Sequence, residues 1–257
     1  MLTSYLAQTQ ALLQNPSAPT TLYTTANLTN FINIARGQLA GEAECCRYLG
    51  TLTLTSGTRN YNFSSISTGT TSVTGLSGVL TVRAMRYAVA SGYQWIRPRP
   101  WPWFDLFKMN NPVPDSGPPE VWAQYGQGAS GGGSITGIGT GSLISGSFYV
   151  DPIPDLAYVV TCDCVAYPQL LSADTDVEAI PYLFTDAVPY YAAYLALLTS
   201  QTGQRNADAM RYFEMYRMFV DRARKAANPS VNTYLYVGAN DPAQINKLGV
   251  QKSTGNG

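Results

Sequence analysis

The sequence contains no histidine. That removes Ser-His-Asp and Cys-His nucleophilic catalysis, the HExxH zinc site and the commonest general base near neutral pH. Charge is scarce as well: Asp, Glu, Lys and Arg make up 12% of the 257 residues, about half of the ~25% usual in soluble domains. Sixteen basic residues balance sixteen acidic ones, so nothing in the net charge draws the chain to free nucleic acid or to an anionic membrane. The first charged residue is Arg36, so the basic n-region of a secretory signal is missing. No run approaches the ~18 apolar residues of a membrane span. These absences predict a soluble protein made in a cytoplasm, without a membrane partner.

Cysteine is limited to four residues, the adjacent Cys45 and Cys46 and the close pair Cys162 and Cys164. They lack the spacing of a secreted disulfide framework and are read as reduced thiols. Cys162-Asp163-Cys164 puts two thiols on one face of a strand, and Cys45-Cys46 would be needed to complete a four-thiolate zinc site. Adjacent cysteines ligate one ion poorly, and the usual two-residue spacing is missing. Buried free thiols packing as small hydrophobes are the better reading.

What is present suits contact surfaces. Hydrophobic residues make up 45% of the chain, enough for a sizeable core, and 18 Tyr and 4 Trp supply the amphipathic area favoured between proteins. The spacing of Leu2, Tyr5, Leu6, Leu12 and Leu13 predicts a helix stopped by Asn15-Pro16. A second helix is expected from Asn27, as N-cap, to about Cys46, with Leu28, Phe31, Ile32, Ala35 and Leu39 on one face.

After Tyr48 the period becomes two. Tyr48 to Thr55, Asn60 to Ile66, Gly78 to Ala90, Glu120 to Tyr125, Ser147 to Val150 and Leu156 to Tyr167 read as six strands, a sandwich or partly closed barrel. Arg97 to Phe107, with three prolines, reads as an ordered aromatic connection. Gly126 to Gly146 holds nine glycines and reads as a flexible loop.

The helical period then returns. Asp174, Asp176 and Glu178 are placed in a first turn, Thr185 and Asp186 offer a cap, and Pro189 falls in the first turn of a helix reaching Thr199. Asn206 is read as the cap of a last helix whose stripe is Ala209, Phe213, Tyr216, Val220 and Ala223, with Phe213 as a core anchor of the bundle. The polar residues 229–257 read as an arm. The expected fold is α+β. A helical bundle built from residues 1–47 and 171–228 carries an inserted, mostly antiparallel β-domain over residues 48–170, and an extended C-terminal arm follows.

Three further patterns have weak chemical readings. Gly126-Gln127-Gly128-Ala129-Ser130-Gly131 spells GxGxxG, but more glycine follows where a Rossmann motif needs a helix. Asp174, Asp176 and Glu178 offer oxygens to calcium without the glycine or final glutamate of an EF-hand loop. Trp95, Trp101, Trp103 and Trp122 with Tyr125 would suit a sugar-stacking platform, although such aromatics more often pack in cores and interfaces. No catalytic, cofactor-binding or metal-binding residue is assigned, and no cofactor is expected.

The stretches Phe31 to Glu44 (FINIARGQLAGEAE), Pro98 to Phe104 (PRPWPWF), Val121 to Gly128 (VWAQYGQG), Val177 to Leu198 and Tyr212 to Arg224 resemble head-to-tail adaptor (connector) proteins of tailed bacteriophages, of the tail tubular protein A type. The resemblance implies a structural virion protein of the neck or tail, not an enzyme. It implies a helical bundle with a β-domain and a ring, in that family twelve copies, between the portal protein and a tail or nozzle protein. Double-stranded DNA would pass its channel without sequence-specific binding, and assembly would occur in the host cytoplasm. The alternative is a carbohydrate-binding or tail-spike-like β-module of the virion, with a hydrolase third.

Overall fold

The computed structural model describes residues 1–14, 22–67, 75–90, 92–110, 115–126, 146–199 and 203–227, with backbone alone for 203–206. The Gly-rich stretch 127–145 and the expected arm lie outside the described residues.

Helix α1 (Leu2–Leu13) buries Leu2 and Tyr5, as their spacing requires. Helix α2 (Thr25–Ala43) starts three residues before the expected position. Its N-cap is Thr24, whose Oγ1 accepts the Asn27 N–H at 3.2 Å. Asn27 lies inside the first turn, because Thr24 is extended and its hydroxyl reaches the orphan amide first. The buried side of α2 carries Leu28, Ile32, Ala35, Leu39, Ala40 and Ala43, and also the fully buried Arg36.

Seven strands follow: β1 (Arg47–Leu54), β2 (Asn60–Asn62), β3 (Leu76–Val89), β4 (Gly92–Pro98), β5 (Val121–Tyr125), β6 (Ser147–Asp151) and β7 (Tyr158–Pro168). They form one curled sheet in the order β1-β7-β3-β4-β5-β6-β2. All its pairings are antiparallel except β4 with β5. The two edge strands, β1 and β2, are consecutive in the chain, and the sheet curls until a residue just past β2 reaches β1. Thr51 and Ser67 exchange backbone hydrogen bonds of 2.9 Å there. Gly50 permits this approach, since a Cβ at that position would collide with Ile66 Cγ2. The result is an incomplete barrel, the second of the two expected arrangements. Phe63–Ser65 form a 3₁₀ turn and so shorten the strand expected over Asn60 to Ile66.

Strand β4 replaces part of the expected connection. Its prolines are tolerated because they alternate with the residues that donate. Arg97 N–H bonds to Glu120 O and Arg99 N–H to Trp122 O, both at 2.8 Å, so Pro98 and Pro100 remove no donor from this edge. The chain then turns through the short helix α3 (Trp101–Phe104) and a π-helical turn over Asp105–Met109.

Helices α4 (Ala187–Leu198) and α5 (Gly203–Ala227) complete the fold. Helix α5 begins three residues ahead of the expected cap Asn206, which therefore lies within the helix. Tyr5 of α1, Ile32 and Leu39 of α2, Val188 and Ala192 of α4, and Tyr216 and Val220 of α5 share one apolar core with Leu171 and Ile180. A second core lies inside the curled sheet, built from Leu54, Phe63, Met85, Ile96, Trp122, Phe148 and Val160 among others. Phe213, expected as the anchor of the α5 stripe, is only half-buried. Tyr216 takes that place, fully buried with its ring 4.6 Å from that of Tyr191.

Candidate functional site

Asp174, Asp176 and Glu178 do not open a helix. They lie in the irregular segment between β7 and α4, and each serves a different partner. Asp174 Oδ1 accepts the Thr3 N–H at 3.1 Å. Asp176 Oδ2 accepts from Ser172 N–H, Ser172 hydroxyl and Ala173 N–H at 2.6, 2.9 and 2.8 Å. These backbone and hydroxyl donors hold its carboxyl below the usual carboxylate range. Glu178 meets Arg36. Spread in this way, the three carboxylates do not converge on a cation.

The cysteines are split between the two cores. Cys45 and Cys46 belong to the helical core, and Cys162 and Cys164 to the sheet core, where both face inward as their spacing requires. Burial pushes the Cys164 thiol up to about 12 and raises Cys162 too. Among the described residues no group of three or more Cys, Asp and Glu side chains is arranged to hold a metal ion. No described helix is long and apolar enough to cross a membrane. Of the GxGxxG pattern only Gly126 is described, in a left-handed turn at the end of β5.

Nor do the tryptophans form one platform. Trp122 is buried in the sheet core. Trp101 packs against Phe104, Tyr125 and Tyr149, at 4.7 Å from the Tyr125 ring. Trp95 and Trp103 instead belong to a different surface, made by β4 and its neighbours.

On β4 only Ile96 is buried, so Tyr93, Trp95 and Arg97 share the outward face. Arg86 of β3 stands directly across from Trp95 in the antiparallel register. Its guanidinium lies over the Tyr93 ring at 4.4 Å and over the Trp95 ring at 5.6 Å. Further along, Arg99 covers the Trp103 ring at 5.0 Å, and Trp103 leans on Phe107 at 5.5 Å. Tyr93 remains 62% exposed, Trp95 58% and Phe107 59%. On the same outer face of the sheet, Leu49 and Val159 are also exposed.

The other arginines of this region are spent on internal ion pairs: Arg47 with Asp163, Arg59 with Asp151, and Arg83 with Glu44. Among the described residues no carboxylate lies within ion-pair distance of Arg86, Arg97 or Arg99. Stacking on a ring fixes a guanidinium plane and leaves its N–H edge open for a carboxylate or phosphate. Tyr, Trp and Arg are also the side chains that dominate binding energy at protein contacts.

Sequence reasoning overlooked this stripe. The signal was the alternation Tyr93-x-Trp95-x-Arg97-x-Arg99, together with a segregation of charge. Residues 45–104 contain six arginines and no acid, whereas residues 105–186 contain ten acids and one lysine.

No curated protein matches the chain. The SU10 adaptor protein family matches residues 2–235, from the start of α1 past the end of α5 and so through every element described above. By that match the chain belongs to the SU10 adaptor protein family, in keeping with a structural adaptor of bacteriophage particles.

Proposed function

We propose that this chain is a head-to-tail adaptor subunit whose copies close into a ring between the portal and a tail or nozzle protein of the virion. The observation that carries the proposal is the exposed arginine–aromatic stripe, in a chain whose family is that of an adaptor. An adaptor acts by being held between partners, and such a stripe is costly to expose unless another protein covers it. The helices act as a bundle that bears the load, carrying the strand-rich part (residues 48–170) as an inserted domain. Residues 229–257 attach the ring to a neighbour. Ring closure by twelve copies leaves a channel for double-stranded DNA, which passes without sequence-specific contacts. The chain has no catalytic role in this scheme.

The test is to mix the purified full-length chain with the portal protein of the same particle and to image the product. A closed ring of the chain on one end of the portal supports the proposal, and the chain truncated after Pro229 should not attach. Full-length chain that leaves the portal bare would contradict it.

A further inference from the structure

The chain is neutral overall, and besides the cationic stripe on β4 it carries an acidic cluster beside the start of the neighbouring strand β5. Two loops there are laced together. Ile153 N–H donates to Asp115 O at 2.8 Å and Gly117 N–H to Ile153 O at 2.9 Å, around a parallel bridge between Ser116 and Ile153. The resulting ledge exposes Asp115, Pro118, Glu120, Asp155 and Leu156. Asp155 accepts the Tyr158 hydroxyl at 2.6 Å, and the Tyr158 ring stands edge-on to Tyr87 at 5.3 Å. Tyr87 is buried on the core side of β3, next to the outward Arg86 in sequence and so opposite to it in direction. Glu120 and Asp155 both lie close enough to add to the burial that raises the Tyr87 hydroxyl. Among the described residues Asp115, Glu120 and Asp155 have no cation within ion-pair distance.

Stripe and ledge are two surfaces, one cationic and aromatic, the other acidic with an exposed leucine, and they adjoin where Glu120 O accepts the Arg97 N–H at 2.8 Å. Among the described residues no ion pair joins them within one copy, and between two copies they can pair. A nucleic acid is the weaker occupant for the stripe. One face of each ring at Tyr93, Trp95 and Trp103 is already taken by a guanidinium group, and the exposed Leu49 and Val159 on the same outer face suit apolar contact rather than phosphate.

We infer that neighbouring copies of this chain join head to tail, the Arg86–Tyr93–Trp95–Arg97–Arg99 stripe of one copy seated on the Asp115–Glu120–Asp155 ledge of the next. Such a contact uses two different surfaces on each copy and so closes a ring when the rotation permits. The aromatic rings supply buried area at the centre, and the stacked guanidinium edges take the carboxylates bidentately. This assignment rests on the adaptor reading above, for which it names the subunit contact.

The experiment uses the full chain in particles assembled in cells, with a photocrosslinking phenylalanine at position 95. A crosslink to residues 115–120 or 153–158 of a second copy is expected. Particles that contain the chain but crosslink it to DNA, to another protein, elsewhere on its own copies, or not at all overturn the inference and leave the adaptor reading standing. Particles that lack even the unsubstituted chain overturn both. As a second measurement, Arg86→Glu with Arg99→Glu should lower the copies per particle at least about tenfold through like-charge contact. The ledge variant Glu120→Arg with Asp155→Arg should do the same, and combining all four changes in one chain should restore assembly. Assembly unchanged by either reversal contradicts the contact.

Discussion

Arg36 and Glu178, 142 residues apart in sequence, meet as a bidentate ion pair. Arg36 Nη2 and Nε donate to Glu178 Oε1 and Oε2 at 2.9 and 3.0 Å. The guanidinium also donates to Gln169 O at 2.7 Å, and Glu178 Oε1 accepts the Ile180 N–H at 2.9 Å. With Arg36 fully buried and the Glu178 side chain only 9% exposed, the pair pins the segment that leaves β7 to the middle of α2.

Removing one partner strands the other charge in a low-dielectric site. Arg36→Ala should therefore lower unfolding free energy by about 3–5 kcal/mol, whereas Arg36→Met combined with Glu178→Leu should come close to neutral. Urea denaturation of the two variants is the check. Equal losses in the single and the double variant would show that packing, not charge, is what Arg36 supplies.

Tyr216 anchors α5 where the stripe pattern favours Phe213. Tyr216→Ala should cost about 3–5 kcal/mol as a large core ring is lost, with Phe213→Ala costing clearly less. Its half-buried ring packs mainly on Tyr194, 4.9 Å away. Thermal melts of both variants decide the matter, and a larger loss at Phe213 would reverse the assignment.

Alkaline pH should weaken the fold through its thiols. An ordinary cysteine titrates near 9, and burial lifts Cys164 to about 12 and Cys162 in the same direction. A folded-state value raised above the unfolded one stabilises fully below the unfolded value, near 9, and the contribution is lost as pH climbs through the folded one. Stability should thus decline from about pH 9 upward, with the buried Tyr5, Tyr48 and Tyr216 hydroxyls, also raised, contributing on the same side. Replacing both Cys162 and Cys164 by Ala should flatten that decline in urea titrations. An unchanged slope would mean that the thiols are not the titrating groups.

Closure of the curled sheet depends on Gly50. Gly50→Ala forces Ile66 away from β1 and should cost about 1–3 kcal/mol, as overpacking does. Amide exchange at Thr51 and Ser67 should quicken at the same time, because their paired hydrogen bonds form only at that approach. Unaltered exchange would show that the strand ends are held together by something else.

Much of the architecture was legible because it rests on local periodicity. The alternation of β1, β3 and β7 and the 3.6-residue stripes of α1, α2 and α5 follow from which side chains must leave water. What escaped depends on pairing between distant residues. Strand β4 looked disqualified by Pro98 and Pro100, and only the parallel register with β5 makes their missing amides harmless. Asp174, Asp176 and Glu178 looked like a helix start, while their partners Thr3, Ser172 and Arg36 are set by the tertiary fold. The arginine–aromatic stripe was written in the sequence as an alternation, but its meaning required knowing that Arg47, Arg59 and Arg83 find carboxylates and that Arg86 and Arg99 find rings.

The most direct measurement of the central claim is a cryo-EM map of the assembled particle. The adaptor account predicts copies of this chain in a closed ring between portal and tail, with the genome path running through its centre. A map that places the chain on a fibre, on the capsid exterior, or in isolated copies away from the portal axis would contradict it.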